Sequence, residues 1–146
     1  MRILGLDVGS KTVGVAVSDP LGITAQGVTT LRRKSAKGDV ADVKRLAAEY
    51  EASRVVVGLP LNMDGSEGPR AAASRAFGDA VSEATGLPVE YQDERLSTVA
   101  AERVLLEGDV SRKKRREVID RLAAQIILQA WLDARRPGHT HEPEIP

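Results

Sequence analysis

Two short apolar runs, Ile3–Val8 and Val13–Val17, are separated only by Gly9-Ser10-Lys11-Thr12, and this leaves Met1–Asp19 little choice of fold. Each run has strand length, and the polar, glycine-containing break marks a hairpin turn. Asp7 interrupts the first run one residue before its end. A carboxylate in an otherwise buried strand is costly unless it is paired, hydrogen-bonded or bound to a metal. Gly5, Gly9 and Gly14 keep the neighbourhood low in side-chain bulk, which predicts room for a phosphate backbone to come close. The plainer alternative is that Asp7 caps the turn through the amides of Gly9 or Ser10.

Downstream, Asp19-Pro20-Leu21-Gly22 reads as a turn, and Gly27–Leu31 returns as a third strand of an antiparallel meander. Arg32–Asp39 is polar and basic, which predicts a mobile loop, with Asp39 capping a helix that runs to about Tyr50. Val55-Val56-Val57 is an unalternated β-branched run, the pattern of a strand buried on both faces. From here the chain changes to strand–helix alternation. Leu59–Gly68 is a long loop with an Asx-type turn at Asn62-Met63-Asp64-Gly65. Pro69 starts the next helix and Gly86 ends it. Val89–Gln92 is a short strand. Ser97 or Thr98 caps a helix through Leu106 stopped by Gly108, and Ser111 caps a last helix reaching about Arg135. The expected architecture is α/β: a five-stranded mixed sheet flanked by helices, its first three strands antiparallel and its last two parallel to the first. One domain covers residues 1–136, and the proline-rich stretch 137–146 is expected to be a disordered tail.

The chain has no cysteine, which removes disulfides and thiolate metal sites, and its two histidines, His139 and His141, fall in the tail. No apolar run approaches membrane-spanning length, so a cytoplasmic protein with no membrane partner is expected. Lys plus Arg and Asp plus Glu both number 21, but the charge is segregated. Arg32, Arg33, Lys34 and Lys37 form one basic cluster, Arg112–Arg116 a second, and Glu90–Asp109 between them is mostly acidic. Basic margins around an acidic centre suit a phosphate-bearing partner, whereas either cluster alone also reads as a solvated face.

Two further carboxylates stand where chemistry is possible. Asp120 shares a helix side with Ala123, Ala124 and Ile127, at the border of the apolar stripe; pairing with Arg116 or Arg121 is its structural alternative. Glu94 follows a strand of a βα unit, where parallel sheets place ligands. Asp93 is its rival, since one residue of register decides which carboxylate points inward, and an ion pair with Arg95 is the competing use. Three carboxylates meeting at one point would repel unless a divalent ion with oxygen ligands, Mg²⁺ or Mn²⁺, were bound. Gly9-Ser10-Lys11-Thr12 lacks the spacing of a phosphate-binding P-loop. The Asp-x-Gly hairpin also resembles the first phosphate motif of sugar-kinase and actin-like ATPases, but those enzymes close two such domains around ATP.

Four blocks in order carry a specific resemblance: Gly5-x-Asp7-x-Gly9-x-Lys11-x-x-Gly14-Val15-Ala16-x-Ser18-Asp19; Val56-Val57-Gly58-Leu59-Pro60-x-Asn62-Met63-Asp64-Gly65-Ser66; Asp93-Glu94-Arg95-Leu96-Ser97-Thr98; and Ile119-Asp120-x-x-Ala123-Ala124-x-Ile126-Ile127-Leu128. Together they resemble the YqgF/RuvX-like family, the Holliday-junction-resolvase-like proteins also described as pre-16S ribosomal RNA nucleases. The resemblance implies an RNase-H-like fold with Asp7, Glu94 and Asp120 as the metal-binding acidic set. Thr12 stands where many members have arginine, which implies a weaker substrate contact there. Arg116-Glu117-Val118 replaces the small or basic residues often seen before Ile-Asp.

The reading that follows is a Mg²⁺- or Mn²⁺-dependent nuclease hydrolysing phosphodiester bonds. Lys11, Arg95, Arg32, Arg33 and Lys34 are the candidate phosphate contacts, with the 112–116 cluster beside them. Structured RNA is the first substrate, in 5′-end processing of pre-16S rRNA with association to pre-ribosomal particles, and branched DNA is the second. A junction resolvase should be a dimer, whereas the sequence shows no evident dimer helix, so a monomer or weak homodimer is expected. A non-cleaving ribosome-assembly factor is the reading from another class. Phe77, Tyr91 and Trp131 fall in apolar patterns and read as core.

Overall fold

Period-two alternation in the first hairpin fixes which way the sheet faces. Leu4, Leu6 and Val8 point to one side with Val13, Val15 and Val17, and Gly5, Asp7, Thr12, Gly14 and Ala16 point to the other. The structure, a computed structural model, describes residues 1–106 and 112–136. Its elements are β1 (Arg2–Val8), β2 (Thr12–Ser18), β3 (Ala25–Arg32), α1 (Ala36–Glu49), β4 (Ala52–Leu59), α2 (Pro69–Thr85), β5 (Val89–Asp93), a 3-10 turn (Glu94–Leu96), α3 (Val99–Leu106) and α4 (Arg112–Arg135). The strands form one sheet in the order β3-β2-β1-β4-β5. The first three are antiparallel in sequence, and β4 and β5 run parallel to β1.

The sheet is covered on both faces. On one, the even-numbered side of β1 meets Val40, Val43 and Leu46 of α1 and Phe77 and Val81 of α2. On the other, Ile3, Ala16 and Val56 meet Ala124, Leu128, Trp131 and Leu132 of α4. Val55, Val56 and Val57 are fully buried, as their unalternated pattern requires. Each large aliphatic side chain sealed in this way contributes about 1.5–3 kcal/mol. Val99 of α3 is buried against Ala123 and Ile127, which ties that short helix to α4.

The glycines beside Asp7 have a different use from the one the sequence suggests. A Cβ at Gly14 would overlap the backbone carbonyl of Asp120, and one at Gly5 would lie 2.8 Å from the Leu128 Cβ. The space at Gly5 and Gly14 is filled by α4, so no phosphate backbone enters there, whereas a Cβ at Gly9 would meet only Thr12 of the same hairpin. Close approach also lets Gln125 and Gln129 accept hydrogen bonds from the Gly27 and Ala25 amides of β3. β3 itself runs beyond the expected Gly27–Leu31, because its pairing with β2 extends from Ala25 to Arg32.

The stretch Arg32–Asp39 also departs from expectation. α1 begins at Ala36, capped by Ser35, whose Oγ accepts from the Gly38 amide at 3.0 Å. Asp39 is buried instead, accepting from the Lys34 amide at 2.9 Å and Arg33 Nε at 3.0 Å. Burial opposes its charge, but these donors outweigh it and hold the carboxyl below the usual range. Pro69 and Gly86, at φ 73°, bound α2 as read from the sequence. The Asn62–Gly65 turn forms as well, with Asp64 accepting from the Ser66 amide. Gly108, Ser111 and residues 137–146, including His139 and His141, lie outside the described residues, as do the side chains of Arg112–Arg116.

Candidate active site

Three facts of geometry bring acidic side chains to the α4 side of the sheet. Asp7 is the last residue but one of β1, on the face shared with Gly5, beneath α4, and is only 5% exposed. Glu94 opens the 3-10 turn directly after β5, beside Gly58 of the neighbouring β4. Asp120 lies on the turn of α4 that crosses Gly14 of β2, where its carboxylate accepts a hydrogen bond from Thr12. Asp7 therefore does not cap the hairpin. The Gly9 amide donates to the Thr12 carbonyl at 2.8 Å, and Asp7 is instead bonded to Arg103 of α3.

Arg103 joins two of the three acids. Its Nη2 donates to Asp7 Oδ2 at 2.7 Å, and Nη1 lies 3.6 Å from Glu94 Oε1. Burial pushes the Asp7 carboxyl up, with Asp120 adding to the rise and Arg103 opposing it. Burial, reinforced by Asp7, pushes Glu94 up to about 7. Among the described residues, no three His, Cys, Asp or Glu side chains are gathered closely enough to hold an ion as they stand. The donor set nevertheless suits a hard divalent cation. It consists of carboxylate oxygens only; buried Asp7 and partly buried Glu94 repel each other, and the Arg103 guanidinium already offsets them.

Asp93 is turned to a separate task. Its carboxylate takes a two-pronged ion pair from Arg95, which holds it below the usual range. Arg95 also donates to the Met63 carbonyl at 3.1 Å and so pins the turn in the loop after β4. The other candidate phosphate contacts divide similarly. Arg33 is bound to Asp39 and the Gly9 carbonyl and lies over the Phe77 ring, and Lys34 pairs with Asp42 at 3.1 Å. Lys11 and Arg32 stay exposed, Lys11 at the hairpin tip and Arg32 paired in register with Thr12.

Sequence reasoning missed Arg103, Arg70 and the Thr12–Asp120 bond. Arg70, exposed in the first turn of α2, is near enough for its charge to lower both Asp7 and Glu94. Arg103 carried a signal: it lies four residues after Val99, so a charge had to share the packed side of a short helix.

A pH dependence follows for the metal-free protein. Glu94 holds its proton more tightly folded than unfolded, so its own contribution to stability is most favourable below about pH 4.5 and falls as the pH rises towards 7. The gap in unfolding free energy between the wild type and Glu94→Gln should change by up to about 3 kcal/mol across that window. Urea unfolding in chelator at a series of pH values measures it, and a gap constant with pH would refute the assignment.

The family model described as "RuvX: Holliday junction resolvase" matches residues 1–134. The chain belongs to the RuvX family. A relative from Myxococcus xanthus named "Putative pre-16S rRNA nuclease" is 65% identical over 140 residues, covering 96% of this chain and 93% of the relative. A second of the same name, from Moorella thermoacetica, is 59% identical over 133 residues, covering 91% and 95%. Among solved structures, Thermus thermophilus RuvC in complex with Holliday junction substrate aligns with a TM-score of 0.56 at 18% identity, covering 92% of this chain and 95% of that one. The fowlpox virus Holliday junction resolvase aligns at 0.53 and 14% identity, covering 92% and 99%. At these identities the structures bear on the fold alone, and the five-stranded mixed sheet flanked by helices is consistent with an RNase-H-like α/β fold.

Proposed function

We propose that this chain is a divalent-metal-dependent nuclease that hydrolyses phosphodiester bonds during 5′-end processing of pre-16S rRNA in the cytoplasm, in association with pre-ribosomal particles. The observation that carries the reading is the pairing of buried Asp7 with partly buried Glu94 at the carboxyl ends of parallel strands, joined by the Arg103 guanidinium. The name borne by its family relatives supplies the RNA.

Asp7, Glu94 and Asp120 would hold Mg²⁺ or Mn²⁺, which when bound supplies charge stabilisation at the phosphate and a more acidic water. The chain's own residues do the rest. The sheet and α4 fix Asp7 and exclude water from its inner side. Thr12 orients the Asp120 carboxylate by donating to it, so the residue that replaces the family's more usual arginine serves the acid directly. Lys11, Arg32 and Arg70 offer exposed charge to the phosphates on either side, which positions a strand without reading its bases. Arg33, Arg95 and Lys34 already have partners within the chain, so their weight in binding should be smaller.

A direct comparison tests this. Cleavage of a pre-16S 5′-end RNA and of a four-way DNA junction should be measured in Mg²⁺, Mn²⁺ and chelator. RNA cleavage that chelator abolishes is the expected result. Cleavage of the junction alone, with a dimer in solution, would replace the RNA reading with junction resolution. Binding without cleavage would leave an assembly factor.

A further inference from the structure

The acid pair of Asp7 and Glu94 is not open to solvent; Arg103 closes it. The Asp7 and Glu94 side chains are 7% and 10% exposed, whereas that of Arg103 is 35% exposed. Its side chain thus forms the more exposed side of the cluster, with Nη2 hydrogen-bonded to Asp7 and Nη1 3.6 Å from Glu94. It occupies Asp7 Oδ2 and approaches Glu94 Oε1, one oxygen of each of the two carboxylates that would hold an ion. A divalent ion and a guanidinium cannot share them, because two cations a few ångströms apart repel strongly in so buried a place. Arg103 has an exit. Its helix is anchored by Val99 on α4, and its side chain is already about one-third exposed, so the charged head can swing into water with α3 in place.

We propose that Arg103 is an exchangeable counter-ion: it neutralises Asp7 and Glu94 until a divalent cation displaces it, and the displaced guanidinium then meets a nucleic-acid phosphate at the rim. The inference rests on the nuclease reading of the site. It makes ion binding and nucleic-acid binding mutually reinforcing, because the ion releases a cation that the phosphate can use. It also sets a threshold, since the ion must first break an existing ion pair. Arg103 is therefore a positioning residue on the substrate side and a competitor on the metal side.

Calorimetric titration of Mg²⁺ into the full chain tests the first half. Arg103→Gln should bind Mg²⁺ about tenfold tighter than the wild type, within the usual range for coupled sites, with Arg103→Lys in between. The second half is read from affinity for a short fluorescein-labelled RNA stem-loop with and without Ca²⁺, which leaves the RNA uncut. The gain that Ca²⁺ gives the wild type should fall about fivefold in Arg103→Gln. Equal Mg²⁺ affinity in the three proteins, or an undiminished Ca²⁺-dependent gain, overturns the proposal and leaves the nuclease reading standing. If Arg103→Gln does not fold, Arg103→Lys decides both comparisons in the same sense. Absence of Mg²⁺ binding in the folded proteins would remove the nuclease reading, and this inference with it.

Discussion

Asp7→Asn is expected to lower Mg²⁺-dependent cleavage by about a hundredfold or more, the order that one lost electrostatic contact at a reacting centre costs, with the fold intact. The substitution is nearly isosteric, and the apolar neighbours Leu6 and Val8 face the other side of the sheet. What disappears is a buried negative charge that the free protein tolerates only because Arg103 lies against it. The same charge helps to push Glu94 up, so its removal should move the Glu94-linked fall in stability to lower pH. This second effect separates a charge-bearing role from a packing role. Cleavage assays and urea unfolding in chelator, on one preparation, measure both. A folded Asp7→Asn protein that cuts at the wild-type rate would remove Asp7 from the mechanism.

The parts legible from sequence are those encoded by local pattern. Alternation in the hairpin and the run Val55-Val56-Val57 specify strands, and Pro69 and Gly86 punctuate α2, because each signal acts within a few residues. Asp7 stood out for the same reason, as a charge in an apolar run. What sequence could not supply was the identity of partners. Arg103 reaches Asp7 across 96 residues of chain, through a contact that exists only because Val99 seats α3 on α4. Ser35 and Asp39 are both good cap formers. The Ser35 hydroxyl takes the Gly38 amide, while Arg33 and the Lys34 amide draw Asp39 inward, and only the folded chain distinguishes the two. The glycines show the same limit. Sequence reveals that room is left beside the strand but not that a helix backbone fills it.

Gly14→Ala puts that last point to the test, with a second large effect. A methyl at this position would meet the carbonyl carbon and oxygen of Asp120, which belong to a helix backbone and cannot swing aside. Overpacking commonly costs about 1–3 kcal/mol, and the rigidity of the obstacle puts this case at the upper end. Relief can come only by moving α4 away from β2, which would break the Thr12–Asp120 hydrogen bond and carry Asp120 away from the hairpin. Cleavage should therefore fall far more than the lost stability implies, although no charged group has been changed. Gly22→Ala supplies the control. Gly22 has a φ of 71° and open space around it, so alanine there brings backbone strain of about 1–2 kcal/mol without touching α4. Urea unfolding and cleavage measured on both variants should show two destabilised proteins, of which only Gly14→Ala has lost its activity. Full activity in a folded Gly14→Ala protein would mean that Asp120 does not need its seat against the hairpin, and would detach it from the acidic set.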